Sequence, residues 1–448
     1  MNGLRERLVR MATPGRVVVG AFGLAVAVGT LLLVLPVSTT ERRATLMEAV
    51  FTATSALCVT GAVVVDTATF WTPFGQLVIL ILMQVGAFGV MSLATLLGLL
   101  VARRLGLRSR LNTVEETHGL GFGDVRRVLF GVAATMFVIE SIIAVLLALR
   151  WWSGYGLPIG RSLWYGVFHS VAAFANAGFT VFPGNLVPYA TDGWIVLPIC
   201  VGVILGGLGF PVLMELRARL LLPRKWTLNT VTVLVGSVVL VFVGWIVLTT
   251  LEWDNPGTLG AFVPLDRVLV GFSTGIMPRS GGFNSFDIGE MHPGSLLVTD
   301  VLMFIGAGPA GTGGGIKITT FAVLLFVVIA ELRGNAAVNM FGKRLPRSTH
   351  REALTVALLS VGLVVGSTLV ILLMSSFSLG EVLFEVISSF ATVGLSTGIT
   401  ADLPPGAQGI LVVLMFVGRL GPVALGSSLA LAHRARYYEL PKERPIIG

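Results

Sequence analysis

Long apolar blocks alternate with short polar segments along all 448 residues of the chain. Each block contains runs of about 20 apolar residues, the length that spans the hydrocarbon core of a membrane as a helix. The pattern therefore predicts an all-α polytopic membrane protein with four pairs of long helices. The first members of the pairs are predicted at 16–36, 128–150, 228–251 and 353–376, and the second members at 73–101, 191–216, 294–330 and 407–432.

Basic residues are concentrated between these apolar blocks. Short loops on the cytoplasmic side of a membrane are enriched in Lys and Arg, so these segments are predicted to be cytoplasmic. The chain then crosses out and back four times, and both termini lie in the cytoplasm. Of the 31 Lys and Arg residues, 23 lie in five segments: Arg5–Arg16, Arg103–Arg127, Arg217–Lys225, Arg333–Arg351 and Arg434–Arg444.

Composition agrees with a single membrane domain and argues against other classes of protein. Charged residues make up 12% of the chain, against about 25% in soluble globular domains. The net charge of +8 comes largely from the basic loops, so it does not indicate a nucleic-acid partner. Cys58 and Cys200 have no metal-ligand spacing, and we predict neither a disulfide framework nor a zinc site.

In each out-and-back crossing, a phenylalanine lies ten residues before the glycine that follows a short apolar segment. Four matches at a similar phase indicate an internal repeat. The segments that end near these glycines, at 45–57, 161–174, 264–277 and 380–391, are apolar but too short to span a bilayer. Each repeat is therefore predicted as a long helix, a re-entrant short helix, a glycine turn and a second helix. The pairs are Phe51 and Gly61, Phe168 and Gly178, Phe272 and Gly282, and Phe384 and Gly394.

The repeats divide the chain into four predicted units, 1–110, 111–226, 227–345 and 346–448, the last with a cytoplasmic tail. Non-helical backbone at membrane depth must be buried in protein or line a water-filled cavity. Four glycine turns in the same phase therefore predict a pseudo-fourfold ring around one central pore. Their backbone carbonyls would replace the hydration shell of an ion.

A second glycine motif follows inside each second helix. In the third unit it continues as the run Gly306–Gly315, which cannot stay helical, because each Gly costs about 1 kcal/mol and Pro309 about 3 kcal/mol. We therefore predict that the second helix of the third unit is broken at 306–315. The four forms are Gly86-Ala-Phe-Gly89, Gly206-Gly-Leu-Gly209, Gly306-Ala-Gly-Pro309 and Gly418-Arg-Leu-Gly421.

These motifs resemble those of the Ktr/Trk/HKT superfamily of K⁺ and Na⁺ translocating subunits, over essentially the whole chain. The single helix before the first short helix resembles the membrane subunit of a bacterial Ktr system. The resemblance implies a homodimer with one pore per protomer in the lipid of the cytoplasmic membrane. It also implies a cytosolic ring of nucleotide-binding subunits, so that the regulatory nucleotide is expected on the partner. Basic loops 103–127 and 333–351 either dock this ring or only set topology.

The resemblance assigns an ion-binding selectivity filter to the four glycine turns. In this family, serine in place of the first filter glycine accompanies a preference for Na⁺, whereas this chain has glycine in all four units. Gated K⁺ uptake driven by the membrane potential is therefore implied, with Na⁺ as a candidate activator and no covalent cofactor. A Na⁺-selective or Na⁺/K⁺ translocating relative is the alternative. The filter residues are Cys58, Val59, Thr60, Gly61, Asn176, Ala177, Gly178, Ser280, Gly281, Gly282, Thr392, Val393 and Gly394.

The resemblance places a gate in the glycine-rich run beneath the filter. Arg419, in the middle of an apolar helix, is predicted to face the protein interior or water, because a charge at membrane depth is costly. The resemblance implies that it acts as an electrostatic barrier. Lys317 either repels cations when the loop blocks the pore or points to the cytoplasm. Arg279, beside the third filter segment, is predicted to brace its loop. The gate residues are Gly306, Gly308, Pro309, Gly311, Thr312, Gly313, Gly314, Gly315, Lys317 and Arg419.

Other functions agree less well with the sequence. Secondary transporters commonly use inverted repeats, whereas all four units here start and end on the same side. The run before Lys317 is not a Walker A loop, because Ile316 follows the last glycine and no strand precedes it. The sequence contains no H-E-x-x-H motif and no Cys–His arrangement with catalytic spacing, so we do not predict an enzyme.

Overall fold

The computed structural model describes residues 14–109 and 122–431, with the side chains of 19–96 and 126–420. The basic segment 434–444, nearly all of 5–16 and much of 103–127 lie outside the described residues. Within the described ranges, four helices are long and apolar enough to span a membrane, and a bent pair of helices would make a fifth span. The four are Pro73–Leu96, Arg126–Tyr155, Leu228–Glu252 and Arg347–Met374.

A long helix, a short helix and a second helical stretch follow one another four times along the chain. The first set is α1 (Pro14–Val34), α2 (Leu46–Leu57), the one-turn α3 (Thr67–Phe70) and α4 (Pro73–Ser109). The second set is α5 (Phe122–Tyr155), α6 (Ile159–Ala175), α7 (Gly193–Leu208) and α8 (Phe210–Arg219). The third set is α9 (Leu228–Glu252), α10 (Pro264–Ile276), α11 (Pro293–Phe304) and α12 (Ile318–Leu332). The strands β1 (Asn339–Met340) and β2 (Lys343–Arg344) precede the fourth set, α13 (Arg347–Met374), α14 (Leu379–Phe390) and α15 (Pro405–Leu431).

The short helices begin at local sequence signals. In α2, Thr45 accepts the backbone N–H of Glu48, and the Glu48 carboxylate accepts the N–H of Thr45. Ser378 and Glu381 form the same capping box at the start of α14. Such boxes satisfy two backbone donors that a helix end leaves free. In α10, Pro264 occupies the first helical position, where its missing N–H is no loss.

The phenylalanines that mark the repeat anchor these short helices in the core. Phe51, Phe168 and Phe384 are fully buried. Phe272 is half-buried and packs edge-on against Trp245, with ring centroids 5.4 Å apart. The ten-residue spacing therefore joins a core anchor to the glycine turn at the end of each short helix.

The packing of the helices closes into a ring. Each short helix contacts the long first helix of its own set and the second helical stretch of the preceding set. In chain order, the contacts between sets join α4 to α6, α7 to α10, and α11 to α14. The fourth stretch, α15, contacts α2 of the first set, so the series returns to its beginning.

The prediction of one continuous second helix over 191–216 is wrong. The chain bends by 98° between α7 and α8. Gly209 at the bend has a φ of +89°, and Pro211 near the start of α8 has no N–H to continue the helix of α7. The N–H of Phe210 instead donates to the carbonyl of Ala310, at 3.2 Å, so a segment 100 residues away fixes the bend.

Two further differences concern the third set. The predicted break in its second helix is present but is wider than 306–315, because α11 ends at Phe304 and α12 begins at Ile318. The all-α prediction needs one correction, since β1 and β2 form an antiparallel hairpin inside the basic segment 333–351. Phe341 and Gly342 at its turn have φ values of +48° and +75°, and two-residue hairpin turns favour such left-handed residues.

In three sets, a glycine of the second motif lets the second helix approach the end of the short helix. A Cβ added at any of the three would collide with a backbone carbonyl of that helix. Each of these carbonyls belongs to the residue four positions before the aligned glycine of the turn. The contacts join Gly86 to Leu57, Gly206 to Phe174, and Gly418 to Phe390.

Replacing Gly418 tests this close approach. Gly418→Ala is expected to destabilise the protein by about 1 to 3 kcal/mol, because the methyl group must displace the carbonyl of Phe390. Gly362→Ala in α13 is the matched control, since nothing lies within 4 Å of that position. Alanine there should be neutral or stabilise by about 0.5 to 1 kcal/mol. Thermal unfolding in detergent measures both, and equal unfolding temperatures for the two variants would contradict the prediction.

Candidate functional site

Four short extended segments follow the short helices and meet at the centre of the ring. In each segment the aligned glycine has a positive φ, and so does the non-glycine residue two positions earlier. The residue between these two is not left-handed in any of the four. The glycine φ values are +85° for Gly61, +65° for Gly178, +72° for Gly282 and +86° for Gly394. The earlier values are +56° for Val59, +61° for Asn176, +71° for Ser280 and +49° for Thr392.

This alternation determines where the carbonyl groups point. A regular strand directs successive carbonyls to opposite sides. Alternating left-handed and right-handed residues turn them toward one side, and ion-selective filters use such rows of carbonyls. Left-handed conformations cost about 1 to 3 kcal/mol for non-glycine residues. The surrounding structure therefore holds Val59, Asn176, Ser280 and Thr392 in a conformation that they would not adopt alone.

The four glycines lie against one another around the centre. A Cβ added at any of them would collide with backbone of another segment, so no larger residue fits without displacing it. The contacts run from the first segment to the second, third and fourth, and return to the first. They join Gly61 to Ala177, Gly178 to Gly282, Gly282 to Val393, and Gly394 to Thr60.

Side chains on the short helices hold the outer ends of three segments. In each case the residue nine positions before the aligned glycine bonds to the residue three positions after it. His169 and Glu385 therefore make structural hydrogen bonds to these segments. The bonds are Val181 N–H to His169 Nε2 at 3.4 Å, the Ser273 and Ser285 hydroxyls at 3.1 Å, and Thr397 N–H to Glu385 Oε1 at 2.9 Å.

Two serines that the sequence analysis did not single out brace the first and fourth segments. Ser55 donates its hydroxyl to the carbonyl of Ala62 at 2.7 Å, and Ser388 donates to the carbonyl of Leu395 at 2.6 Å. Both serines lie six residues before the aligned glycine, where the other two units carry Ala172 and Ile276. Comparison of the first repeat with the fourth could have identified them.

The other predicted filter side chains take different positions. Cys58 caps the end of α2 in a right-handed conformation, and its thiol is buried. The amide of Asn176, in the orientation that satisfies both of its ends, donates to the carbonyls of Ala173 and Val203 rather than toward the centre. The hydroxyls of Thr60, Ser280 and Thr392 are buried and have no hydrogen-bond partner among the described residues. Because buried hydroxyls are normally paired, these three are available to water or a cation.

The glycine-rich loop 305–317 lies against the third and fourth segments, at the ends that adjoin the short helices α10 and α14. A Cβ at Gly313 would lie 2.8 Å from the Ser280 hydroxyl, and one at Gly314 would lie 2.7 Å from the carbonyl of Ala391. The loop is closed on itself, because Ile305 pairs with Ile316 in a parallel bridge. Its residues 311–316 are buried.

Backbone of the second unit holds one side of this loop. Gly308 donates to the carbonyl of Gly207 at 2.8 Å, and Thr312 donates to that of Gly206 at 3.1 Å. The Thr312 hydroxyl also donates to the carbonyl of Phe174 at 3.1 Å. The sequence analysis missed this role of the second motif in the second unit, although its extra glycine at 207 was a signal of close backbone approach.

Three cationic side chains donate to carbonyls of the loop. Arg419 donates from Nη1 to Thr312, and Lys317 donates from Nζ to Gly313 at 2.6 Å. Arg279 donates from Nη2 to Gly306 at 3.3 Å. The Lys317 ammonium therefore turns back toward the loop. Arg419 lies in the interior, as predicted, with 3% of its surface exposed.

These charges have no acidic partner within the part of the chain that the structure describes. The ion pairs found there are Arg42–Glu48, Arg150–Asp192, Arg219–Glu215 and Arg267–Asp254, all elsewhere. Nε and Nη2 of Arg419 and Nη1 of Arg279 also lack a hydrogen-bond partner among the described residues. The region beneath the four segments therefore carries uncompensated positive charge.

Comparison with known proteins identifies relatives along almost the whole chain. Residues 9–434 match the family described as TrkH, cation transport protein. The Ktr system potassium uptake protein B of Bacillus subtilis is 37% identical over 422 residues, which cover 93% of each chain. The protein of the same name from Vibrio alginolyticus is 34% identical over 390 residues, covering 86% of this chain and 84% of the relative. A crystal structure of the potassium transporter TrkH from Vibrio parahaemolyticus superposes with a TM-score of 0.71 at 18% identity, and covers 94% of this chain and 85% of the other, which shows a shared fold.

Proposed function

This chain belongs to the TrkH family of cation transport proteins, and from that premise we propose that it takes up potassium as the membrane subunit of a Ktr-type system. It is a multi-span membrane transporter and not an enzyme. Inward movement of K⁺ is driven by the membrane potential, which supplies about 2.3 kcal/mol per elementary charge for each 100 mV. Transport therefore needs no chemical step on this chain.

The observation that carries the proposed pore is the closed ring of four left-handed glycine turns. In this proposal the chain consists of four units, 1–110, 111–226, 227–345 and 346–448, in a pseudo-fourfold arrangement. The ring of contacts among Gly61, Gly178, Gly282 and Gly394 supports it. So does the packing of each short helix against the preceding unit, because it repeats four times and closes.

The selectivity filter consists of segments 58–61, 176–178, 280–282 and 392–394. Alternating backbone conformations supply the carbonyl oxygens that replace the water shell of K⁺. Most of the oxygen ligands are backbone carbonyls, since the Asn176 side chain turns away and the Cys58 thiol is buried. The unpaired hydroxyls of Thr60, Ser280 and Thr392 add ligands next to the loop.

The gate is the loop 306–315 together with Lys317 and Arg419. It closes the pathway sterically, since it lies against the third and fourth filter segments. It also closes the pathway electrostatically, because its cations have no acidic partner among the described residues. Opening requires the charged hydrogen bonds to its carbonyls to break, and such bonds contribute about 1.5 to 3 kcal/mol each. A regulatory signal must supply the free energy needed to break these hydrogen bonds.

The partner subunits of a Ktr-type system provide that signal in this proposal. The chain forms a homodimer in the lipid of the cytoplasmic membrane, with both termini in the cytoplasm. A cytosolic ring of nucleotide-binding subunits docks on its basic loops, and Na⁺ acts as an activator. The hairpin of β1 and β2 supports a docking role, because Lys343 and Arg344 are exposed on it.

Side-by-side flux of K⁺ and Na⁺ in liposomes that contain the purified protein tests the function. We expect K⁺ flux well above Na⁺ flux, without a nucleotide or a proton gradient, because all four filter positions carry glycine. Equal or Na⁺-dominated flux would instead assign the chain to the Na⁺-translocating relatives. If neither ion moves, the loop deletion described below separates a closed gate from a failed pore proposal.

Gly394→Ser is expected to lower the K⁺/Na⁺ flux ratio about tenfold or more. At a φ of +86°, with the Thr60 carbonyl in contact, a side chain must displace the neighbouring first filter segment. Gly398→Ser is the matched control, since its φ is +99° but nothing lies within 4 Å. The tenfold change corresponds to about 1.4 kcal/mol of lost discrimination. An unchanged ratio in Gly394→Ser would remove this residue from the filter.

Deletion of residues 309–314 is expected to raise basal K⁺ flux, because it removes the barrier and the carbonyls that anchor Arg419 and Lys317. The flux of the deleted protein in liposomes is compared with that of the full chain at equal protein content. Size-exclusion chromatography verifies that both are folded. Lower flux from correctly folded deleted protein would contradict the role of the loop as a barrier.

A further inference from the structure

Arg279 links the third segment of the proposed filter to the loop of the proposed gate. It immediately precedes Ser280, the first left-handed residue of the third filter segment. Its backbone N–H donates to the carbonyl of Ile276 at 3.0 Å, which fixes it to the end of α10. Its guanidinium extends to the carbonyl of Gly306, where the gate loop begins.

Internal comparison of the four units shows that this arginine has no counterpart. The residue three positions before the filter glycine is Cys58, Ala175 and Ala391 in the other units. In those units the glycine of the second motif packs directly on a carbonyl of the short helix, so the second helix is tied to the filter by backbone contact. Filter and second helix there need no side chain to link them.

In the third unit this backbone contact is replaced. The nearest atoms to a Cβ at Gly306 belong to Gly314 and Gly315 of the loop itself, rather than to α10. The hydrogen bond from Arg279 to Gly306 therefore takes the place of the glycine contact. In three units the second helix is linked to the filter by a close backbone contact. In the third unit, which carries the loop, the link is a hydrogen bond that can break.

The guanidinium of Arg279 is only partly held by hydrogen bonds to its surroundings. Arg279 has 7% of its surface exposed, and its Nη1 has no hydrogen-bond partner in the described part of the chain. It lines a cavity of about 20 Å³, with Gly207, Ser237 and Ala307 among the other walls. That volume holds about one water molecule. The charge is tolerated here because the carbonyls at the end of α10 carry a partial negative charge.

Building on the proposed pore and gate, we propose that Arg279 is a positioning residue that couples the third filter segment to the hinge of the gate loop. When the loop moves, Gly306 leaves the guanidinium, and the loss of this hydrogen bond releases the constraint on Ser280. Ion selectivity and gate opening are then linked through one side chain. Linkage is reciprocal, so the state of the filter also biases the loop.

Parallel measurement of basal K⁺ flux and of the K⁺/Na⁺ flux ratio in liposomes tests this coupling. Arg279→Gln is expected to raise basal flux about tenfold, the effect of losing one charged hydrogen bond to the loop. It is also expected to lower the flux ratio about threefold or more, because Ser280 loses its support. Arg419→Gln should raise basal flux and leave the ratio unchanged, since the hydrogen bond of its guanidinium goes to the loop and not to a filter segment.

Two further variants make the result specific. Arg279→Lys keeps the charge but not the planar fork, so both readouts should move in the same direction as in Arg279→Gln, and by less. If Arg279→Gln does not fold, the same pair of readouts in Arg279→Lys provides the test. Arg161→Gln, the same substitution at an exposed position of α6, should change neither readout.

A change in basal flux without a change in ratio, or a loss of thermal stability with both readouts unchanged, would overturn the coupling. These outcomes are distinct from failure of the proposed function. That failure would appear as a wild-type protein without selective K⁺ flux, together with an Arg419→Gln variant and a loop deletion that do not raise it. A selective wild-type pore with an unaltered ratio in Arg279→Gln would refute only the coupling.

Discussion

The arrangement of this protein depends on one constraint, which is that polar backbone at membrane depth must be paired or must face water. Among the described residues, the four extended segments and the glycine-rich loop leave the helix between the apolar helices. The four extended segments meet the constraint when their carbonyls turn toward a shared centre. The loop cannot do so, and its groups are paired one by one. Its N–H groups donate to Gly206 and Gly207, and three of its carbonyls accept from Arg279, Lys317 and Arg419.

The same constraint accounts for the unequal second and third units. The loop lies inside the ring, in the space that a straight second helix of the second unit would occupy. The second helix of that unit bends at Gly209, and the N–H of Phe210, freed from the helix, pairs with Ala310 of the loop. The bend and the loop therefore form one structural feature built from two distant parts of the sequence. Substitutions that straighten the bend would leave backbone groups of the loop unpaired.

Local and periodic signals were sufficient for much of this fold. The ten-residue spacing from Phe51 to Gly61 and its three counterparts located the short helices and turns, because burial and left-handed backbone each select a residue type. The run Gly306–Gly315 predicted the break, since no helix tolerates that composition. The bend at Gly209 was not predictable in this way. Glycine is common in membrane helices, and its partner here lies about 100 residues away. The targets of Arg279 and Arg419 are likewise tertiary, 27 and 107 residues away along the chain, and spacing carries no information about them.

Charge distribution in the proposed pore explains why a single loop can control four units. The carboxyl ends of four short helices face the centre, and each helix end carries a partial charge of about −0.5 that attracts a cation. Three positive side chains donate to carbonyls of the loop in the same region, from Arg279 after α10, Lys317 at the start of α12 and Arg419 on α15. At an effective dielectric constant of about 20, two unit charges about 10 Å apart repel by about 1.7 kcal/mol. Three such charges oppose a permeating ion by several times the thermal energy, even before any steric block is considered. Displacement of the loop therefore changes both the width of the pathway and the potential within it.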